Sequence, residues 1–412
     1  MRDLFRRFDR GVWSLTLTQL IASAGFSLAL PFLSLYLARE RGLSMSVVGT
    51  IMLLAAFAGA LGQFWGGDLS DRFGRKSVLL GAILFRIFVF TGLAFLIFRK
   101  GTIWSIVLMY MAVRLSGGLA MPAVSALVAD LTVGKRVEGY GLLRVGANVG
   151  WALGPALGGY LASRFPYAFL FLFGGIVTAL ALLLVLFGVH EPKTRAMAAA
   201  ARGTFTAFKD PDFLRFLGAS IPVFLVAGQL VSTLSVFTVA KVGLSEAQFG
   251  SLLTLNGLLV VAFQYPLARA VQRWPRRAGL ALGALLYSLG YLSFGWIRSF
   301  PLMLLAMTVV TAGEMLFTPV AQAVAADLAP EGHRGRYLGA LGLVESFGWS
   351  GGAFLGGVLL DWAPNPQVLW GAITSLGFLA AFLFGTLPQG LHRALQKEAP
   401  RALHEEDSRP RT

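Results

Sequence analysis

Long apolar runs are the feature of this 412-residue sequence that most constrains its fold. A helix that crosses the hydrocarbon core of a bilayer needs about 20 mainly apolar residues. Such runs predict twelve spans, at 12–38, 46–68, 77–98, 102–129, 139–162, 166–188, 213–239, 246–268, 278–297, 301–327, 336–360 and 366–387. Only 13% of the residues are charged, against about 25% in soluble domains. The chain is therefore predicted to be an all-α integral membrane protein.

The charged residues between these runs predict the orientation. Most of the 35 lysines and arginines fall in the N-terminus, the even-numbered loops and the C-terminus. Because cytoplasmic loops carry the excess of Lys and Arg, both termini are predicted to be cytoplasmic in a multi-pass protein of the cytoplasmic (inner) membrane. The net charge of +15 is spread over short loops, so we expect no nucleic-acid partner.

The sequence lacks the residues that most catalytic and metal sites need. It has no cysteine, and its four histidines lie at span ends, in loops or in the C-terminal segment. It also lacks the G-x-x-x-x-G-K-[ST] loop that binds ATP phosphates. We expect no catalytic residue, no metal and no cofactor, and hence no enzyme.

The two halves of the chain repeat each other. We divide the sequence into a six-helix bundle at 1–189, a cytoplasmic linker at 190–212, a six-helix bundle at 213–388 and a cytoplasmic tail at 389–412. A shift of 197 residues pairs 129–131 with 326–328, both Ala-Asp-Leu, and a shift of 201 pairs Arg75 with Arg276. Such repeats are common in secondary transporters, whose substrate sites lie between the halves.

A charged turn between the second and third spans carries a family resemblance. Its residues Gly67, Leu69, Asp71, Arg72, Gly74, Arg75 and Lys76 fit the pattern G-x-L-x-D-R-x-G-R-K. The chain thereby resembles the major facilitator superfamily, which implies two pseudo-symmetric six-helix bundles around a central site. In that family the acid of this turn meets the start of helix 11 at the cytoplasmic side. The resemblance makes Asp71, Arg75, Arg336 and Glu345 candidates for a gate, with Arg144 as a further interface charge. For Lys76, plain positive-inside topology explains the charge equally well.

Glycines of the fifth span form a second motif. Gly150, Gly154 and Gly158 are spaced i, i+4, i+8, which places them on one helix face and favours close packing against a neighbouring helix. Packing alone accounts for that spacing. The full set, Gly141, Gly150, Gly154, Pro155, Gly158 and Gly159, resembles the helix-5 pattern of the family's proton-coupled antiporters. The resemblance implies export rather than uptake.

Two charges lie in the middle of spans. A lone Arg114 in the fourth span costs roughly 3 kcal/mol on insertion scales, so it needs a partner or a wet cavity. With Gly118 it resembles the family's R-x-x-x-G element, although Gly117 stands where the family often has Gln. Glu314 lies halfway along the tenth span, and the resemblance implies that both helices line the central cavity. Proton coupling is one interpretation of both residues; permanent pairing of Arg114 and a neutral, hydrogen-bonded Glu314 are the alternatives.

Aromatic and sparse polar residues complete the predicted site. The candidates for contact with substrate are Gln19, Phe26, Tyr36, Gln229, Ser232, Phe237 and Phe317. Singly, each of them suits packing as well. Together they predict a cavity for amphiphilic or drug-like compounds rather than sugars, since sugar hydroxyls need many hydrogen-bond partners.

The prediction is a proton-coupled efflux transporter, driven by the proton gradient, whose partners are protons, a small-molecule substrate and the lipid bilayer. We expect a monomer. An exporter or facilitator of a metabolite such as a sugar, lipid or siderophore is the alternative in the same fold. A non-transporting membrane receptor or an intramembrane enzyme is the alternative of another class.

Overall fold

The computed structural model describes residues 8–132, 135–191, 207–271, 274–330 and 333–386, and in these ranges the chain is helical and contains no strand. The side chains of residues 136 and 137 are also outside the description. Most of the predicted linker, residues 192–206, lies outside the described residues, as does the predicted tail at 389–412. The domain boundaries at the linker and tail therefore stay predictions.

Helices occupy all twelve predicted spans. The first six are α1 (Arg10–Leu35), α2 (Met45–Phe73), α3 (Arg75–Phe98), α4 (Ile103–Leu131), α5 (Arg136–Ala162) and α6 (Ala168–Gly188). The last six are α7 (Pro211–Ala227), α8 (Glu246–Val271), α9 (Arg276–Ser293), α10 (Phe300–Leu328), α11 (Arg334–Trp362) and α12 (Pro366–Thr386). A π-helical turn, Tyr36–Glu40, extends α1. Short turns over Gly228–Val231, Thr233–Val236 and Phe237–Val242 extend α7.

Ten helices of the described residues are long and apolar enough to cross a membrane. The two that fall short are α5 and α9, for which the sequence also predicts spans. Within α5, Arg144, Asn148 and the glycines lower the hydropathy, whereas α9 has 18 residues and begins with two arginines. Both helices are packed among the apolar ones, α5 against α1 and α9 against α10.

Side-chain caps fix several helix starts at the membrane edges. Ser44 Oγ accepts a hydrogen bond from Val47 N (3.4 Å), and Thr102 Oγ1 accepts one from Ser105 N (3.3 Å). Asp210 caps α7 in the same way and also accepts a 2.7 Å hydrogen bond from the Tyr337 hydroxyl. Ser, Thr and Asp at these positions satisfy amide groups that the first helical turn leaves without partners.

The glycine face of α5 packs against α1. A Cβ at Gly150 would meet Leu20 O, one at Gly154 would meet Ala24 O, and one at Gly158 would meet Leu28 O. The three glycines thus let two helix backbones approach closely along three successive turns. This is the packing that the i, i+4, i+8 spacing predicts.

The two sets of six helices meet most extensively through α5 with α8 and through α2 with α11. Glycines again bring the backbones together, with Gly159 facing Gly250 at one contact and Gly357 facing the Met45 carbonyl at the other. These residues belong to the C-terminal parts of α5 and α11 and the N-terminal parts of α2 and α8. We call this end of the molecule the closed end.

Two carboxylates reinforce the closed end. Asp361, at the end of α11, accepts hydrogen bonds from Met45 N (2.9 Å), Ser46 N (2.7 Å) and Ser46 Oγ (2.5 Å) at the start of α2. Glu246, at the start of α8, forms a 2.8 Å ion pair with Arg39 and accepts a 3.1 Å hydrogen bond from the Tyr167 hydroxyl. Both acids belong to the last six helices, and all of these partners belong to the first six.

Candidate functional site

A cavity of about 430 Å³ lies between the two sets of helices. We call it the central cavity. Residues of α4 and α5 on its wall, among them Ser125 and Arg144, lie towards the C-terminus of α4 and the N-terminus of α5. The cavity therefore lies away from the closed end, where α5 contacts α8 with its opposite end. Its charged lining residues are Arg144, Glu314 and Glu345.

Glu314 is held by hydrogen bonds from a neighbouring helix. Its Oε2 accepts a 2.8 Å hydrogen bond from Asn256 Nδ2 of α8, and the same amide group lies 3.0 Å from Thr311 Oγ1. Asn256 and Thr311 are buried, whereas the Glu314 residue retains partial exposure on the cavity wall. A carboxyl in this position is fixed in orientation yet reachable from the cavity, as proton exchange requires.

Arg144 reaches across the cavity from the first six helices to the last six. Its Nη1 donates a 2.8 Å hydrogen bond to Gln322 Oε1 of α10. Glu314 and Glu345 line the same cavity, and both carboxylates interact electrostatically with the Arg144 guanidinium. The charge balance of the cavity therefore depends on how many protons these two acids carry.

Arg114 lines a second cavity of about 320 Å³, which we call the Arg114 cavity. Its guanidinium carbon lies 5.6 Å from the centroid of the Phe26 ring, within the range of a cation–π interaction. Glu345 and Trp349 line both this cavity and the central one. The two residues of α11 thus separate Arg114 from Glu314.

Three of the charges predicted to act in a gate or at an interface can be placed; a gate role for them stays a prediction. Glu345 lies eleven residues into α11, at the boundary between the two cavities. Arg75, another gate candidate, forms a buried ion pair with Asp130 of α4. Arg144, expected as an interface charge, does join the two halves, but it does so through Gln322 inside the central cavity.

The charged turn joins α2 to α3 through Gly74, whose φ of 93° lies in a region that side chains rarely adopt. The carboxylate of Glu191 accepts hydrogen bonds from Arg75 N (2.8 Å) and Lys76 N (2.7 Å), which caps α3. Lys76 Nζ donates to Leu186 O (2.9 Å). All these contacts lie within the first six helices, so they hold that half together rather than joining it to the other.

The remaining gate candidates lie at the surface. Arg72 forms a 3.0 Å i,i+4 ion pair with Asp68, and Asp71 is exposed. Arg336 is partly exposed in the first turn of α11. Gly67 and Gly141 border open space, where a Cβ would meet no atom within 4 Å. A gate role for Gly67, Asp71, Arg72 and Arg336 stays a prediction, as does the antiporter motif to which Gly141 belongs.

The predicted substrate residues divide into two groups. Gln19 and Phe317 line the central cavity, and Phe26 lines the Arg114 cavity. The other four, Tyr36, Gln229, Ser232 and Phe237, are fully or almost fully buried between helices. Gln229 Nε2 donates to Gly352 O (2.8 Å), and the Phe237 ring packs edge-on against Trp370. Through these contacts Gln229 and Phe237 join the extension of α7 to α11 and α12.

The sequence-based candidates do not include four residues that lie in the site or form polar contacts near it: Arg86, Asp130, Glu191 and Asn256. Asp130 is detectable in the sequence, because the Ala-Asp-Leu repeat contains it. Arg86 is detectable as a charge within a span; its Nε donates a 3.1 Å hydrogen bond to Ser116 Oγ beside Gly117. Glu191 and Asn256 act through contacts with residues 58 to 116 positions away, which no local pattern indicates.

Tyr167, which precedes the first residue of α6, illustrates the electrostatics of the closed end. Burial raises the pKa of this phenol, and the neighbouring Glu246 carboxylate raises it further. Tyr167 therefore keeps its proton at physiological pH and remains a donor to Glu246.

Comparison with known proteins gives a consistent result over nearly the whole chain. The family model described as "Major Facilitator Superfamily" matches residues 15–245 and 224–406. The MFS-type transporter YttB of Bacillus subtilis (strain 168) is 27% identical over 359 residues, 85% of this chain and 89% of that protein. A Na(+), Li(+), K(+)/H(+) antiporter of Planococcus maritimus is 27% identical over 79% of this chain and 84% of its own length.

A multidrug resistance protein and a solved structure extend the comparison. The multidrug resistance protein MdtH of Aeromonas hydrophila is 26% identical over 93% of this chain and 96% of that protein. The crystal structure of the nucleoside transporter NupG (D323A mutant) superposes with a TM-score of 0.78 at 13% identity, covering 91% of this chain and 99% of that one. At this identity the structural match concerns the fold alone.

Proposed function

Because this chain belongs to the Major Facilitator Superfamily, we propose that it is a secondary transporter that exports amphiphilic, drug-like molecules in exchange for protons. In this proposal its twelve helices form two pseudo-symmetric six-helix bundles that rock around the central cavity. The relatives that are antiporters or multidrug resistance proteins support this choice of function.

The observation that carries the proposal is Glu314 on the wall of the central cavity. Asn256 holds its carboxyl at 2.8 Å, and Arg144 of the other half lines the same cavity. When Glu314 and Glu345 are both ionised, the three charged side chains sum to −1, which favours a cationic substrate. A proton on Glu314 removes that preference, so proton binding and substrate binding compete.

This competition supplies a transport cycle. A substrate entering from the open side displaces the proton of Glu314. The substrate-loaded protein then closes on that side and opens to the other side of the membrane. On the other side, a new proton binds Glu314 and weakens the hold on the substrate, which leaves. Each ligand shifts the conformational equilibrium only by its difference in affinity for the two states, so the coupling depends on Glu314 changing its surroundings between them.

Orientation follows from the loop charges. We propose that the closed end faces outward and that the central cavity opens to the cytoplasm, with both termini cytoplasmic. The structure then corresponds to an inward-facing state, ready to take substrate from the cytoplasm or the inner leaflet. The proton gradient is the energy source, and no cofactor or partner protein is part of this proposal.

The test measures substrate-driven proton movement in proteoliposomes of the purified protein. A panel of lipophilic cationic dyes is added, and luminal pH is followed in wild type, Glu314→Gln and Asp212→Asn. Asp212 is a matched control because it is an exposed acid at the start of α7, paired with Arg215 at 2.9 Å. We expect dye-driven proton flux in wild type and in D212N and none in E314Q. Equal flux in E314Q and wild type would refute the proposal.

Exchange of a monovalent cation for protons is the second candidate. It is favoured by the two carboxylates of the central cavity, whose oxygens suit a small cation, and by the relative that is a Na(+), Li(+), K(+)/H(+) antiporter. The same proteoliposomes distinguish the candidates. Collapse of a pH gradient on adding NaCl or KCl, with no response to any dye, would favour cation exchange.

A further inference from the structure

The two halves differ at one corresponding pair of charges. In the first half, Arg75 and Asp130 form a buried ion pair whose side chains are 5% and 3% exposed. The repeat places Arg276 and Asp327 at the same positions of the second half. There the two side chains are 3.7 Å apart and are 30% and 35% exposed. Arg276 of the second half is therefore partly accessible, whereas the corresponding Arg75 of the first half is enclosed.

A cavity of about 370 Å³ occupies the space beside Arg276. We call it the Arg269 cavity, because Arg269 of α8 is its other charged lining residue. The rest of its lining is Tyr265, Ala268 and Val271 of α8 with Pro319 and Val320 of α10. It thus combines two arginines with apolar walls and contains no acid in its lining.

This cavity lies on the opposite side of α10 from the central cavity. Glu314, Thr318 and Gln322 line the central cavity and, at i, i+4, i+8, share one face of the helix. Pro319 and Val320 are turned about 100° and 200° away from Thr318, since each residue of an α-helix advances about 100°. The Arg269 cavity therefore faces outward from the transport path.

Its surroundings are those of a membrane–water boundary. Tyr265 is 75% exposed and Trp274, just before α9, is 45% exposed. Tyr and Trp are enriched where the bilayer meets water, because their rings suit the headgroup level. An arginine pair among apolar walls at this depth is costly without an anionic partner. Asp327 pairs with Arg276 at 3.7 Å, and Arg269 adds a second positive charge that no acid of the lining balances.

We propose that the Arg269 cavity binds the headgroup of an anionic phospholipid. Arg269 and Arg276 contact the phosphate, the acyl chains follow the apolar surface between α8 and α10, and Tyr265 covers the glycerol region. The assignment to the cytoplasmic leaflet rests on the orientation proposed above. Basic pockets between helices on this side of a membrane are suited to such headgroups.

The experiment measures lipid binding to the full-length purified protein by native mass spectrometry. The protein is titrated with phosphatidylglycerol and, separately, with phosphatidylcholine of the same acyl chains. The variants are Arg269→Gln, Arg269→Gln/Arg276→Gln and, as matched control, Arg277→Gln. Arg277 is the next residue along α9 and is exposed, but it does not line the cavity. The single variant keeps the proposal testable if loss of Arg276 destabilises the fold.

We expect wild type and R277Q to bind phosphatidylglycerol more tightly than phosphatidylcholine. Each arginine near a membrane surface adds to the attraction, so R269Q lowers the affinity for phosphatidylglycerol about fivefold and the double variant roughly 30-fold. Equal binding of the two lipids to wild type would overturn the proposal. An equal loss of affinity for phosphatidylglycerol in R269Q and R277Q would overturn it as well. Displacement of the lipid by millimolar glycerol 3-phosphate would identify a site for a soluble phosphate and would also overturn it.

Discussion

Arg75 and Arg276 occupy corresponding positions of the two halves, yet the effect of removing their partners should differ. Removing Asp130 takes away the carboxylate that pairs with the buried Arg75, and breaking a buried ion pair in this way costs about 3–5 kcal/mol. Removing Asp327 affects a pair at 3.7 Å whose side chains are 30% and 35% exposed, and an ion pair of this kind is worth about 0–1 kcal/mol. Asp130→Ala should therefore lower the thermal denaturation temperature of the detergent-purified protein far more than Asp327→Ala does.

The double variant Arg75→Leu/Asp130→Leu provides the control for this prediction. Replacing both buried charges with apolar groups also removes the buried arginine that D130A deprives of its carboxylate, so stability should recover relative to D130A. If D130A and D327A shift the denaturation temperature equally, the difference in burial between the two pairs has no energetic consequence.

At the same scale, the sequence indicates which residues carry unusual chemistry but not which partners they have. Glu314 and Arg114 are recognisable because a charge within an apolar run is costly. The partners of Glu314 depend on how α8 packs on α10, and Asn256 is 58 residues away along the chain. The partner of Arg75 likewise depends on packing, because Asp130 belongs to a neighbouring helix of the same half and is 55 residues further along the chain.

At the scale of the element, adjacent glycines of α4 should respond differently to the same substitution. A Cβ on Gly118 would meet the backbone of α2 at Gly59 and Gln63, which cannot move without separating the helices. A Cβ on Gly117 would meet only Arg86 Nη2, the far end of a flexible side chain, at 3.0 Å. Gly118→Ala should therefore destabilise the protein by about 1–3 kcal/mol, as overpacking does, and Gly117→Ala by clearly less.

The denaturation temperature and the folded yield from membranes test this pair of variants. Gly67→Ala serves as the control, because a Cβ there meets no atom within 4 Å. A loss of stability in G117A equal to that in G118A would contradict this prediction. It would show that the Arg86 side chain cannot move aside and that close contact between α2 and α4 does not distinguish the two glycines.

Helix positions follow from sequence more reliably than helix partners do. Apolar runs predict all twelve helices, and glycine spacing predicts that one face of α5 packs closely. That the neighbour is α1 depends on the three-dimensional arrangement of the bundle. The region after α7 departs from the predicted single span, because short 3₁₀ and π-helical turns replace a continuous α-helix over 228–242. Gly228 approaches the Trp349 backbone there, a long-range contact that hydropathy does not report.

At the scale of the whole molecule, the sequence predicts two similar halves but not the state in which they meet. The closed end depends on Asp361 capping α2 from 315 and 316 residues away, and on Glu246 pairing with Arg39. Neither acid belongs to a recognisable motif of this sequence. A repeat is compatible with inward-facing and outward-facing arrangements alike, so only the contacts between halves distinguish them.

Asp361 should therefore influence which side of the membrane the central cavity faces. Its carboxylate accepts three hydrogen bonds from Met45 and Ser46, and its negative charge lies at the N-terminus of α2, where the helix dipole favours it. Asp361→Asn keeps the shape but loses the charge. Because charge-assisted hydrogen bonds exceed neutral ones by about 1 kcal/mol, the ratio of closed-end to open-end states should fall about fivefold.

Labelling of one introduced cysteine measures this ratio, since the natural chain contains none. Ser125→Cys places a thiol on the wall of the central cavity, where a membrane-impermeant maleimide reaches it from whichever side is open. In the S125C background, D361N should raise the labelling rate from outside and lower it from the cytoplasm, whereas D212N should change neither. Unchanged rates in D361N would mean that the charge of Asp361 does not stabilise the closed end. In that case glycine packing and the Glu246–Arg39 ion pair would hold the closed end together.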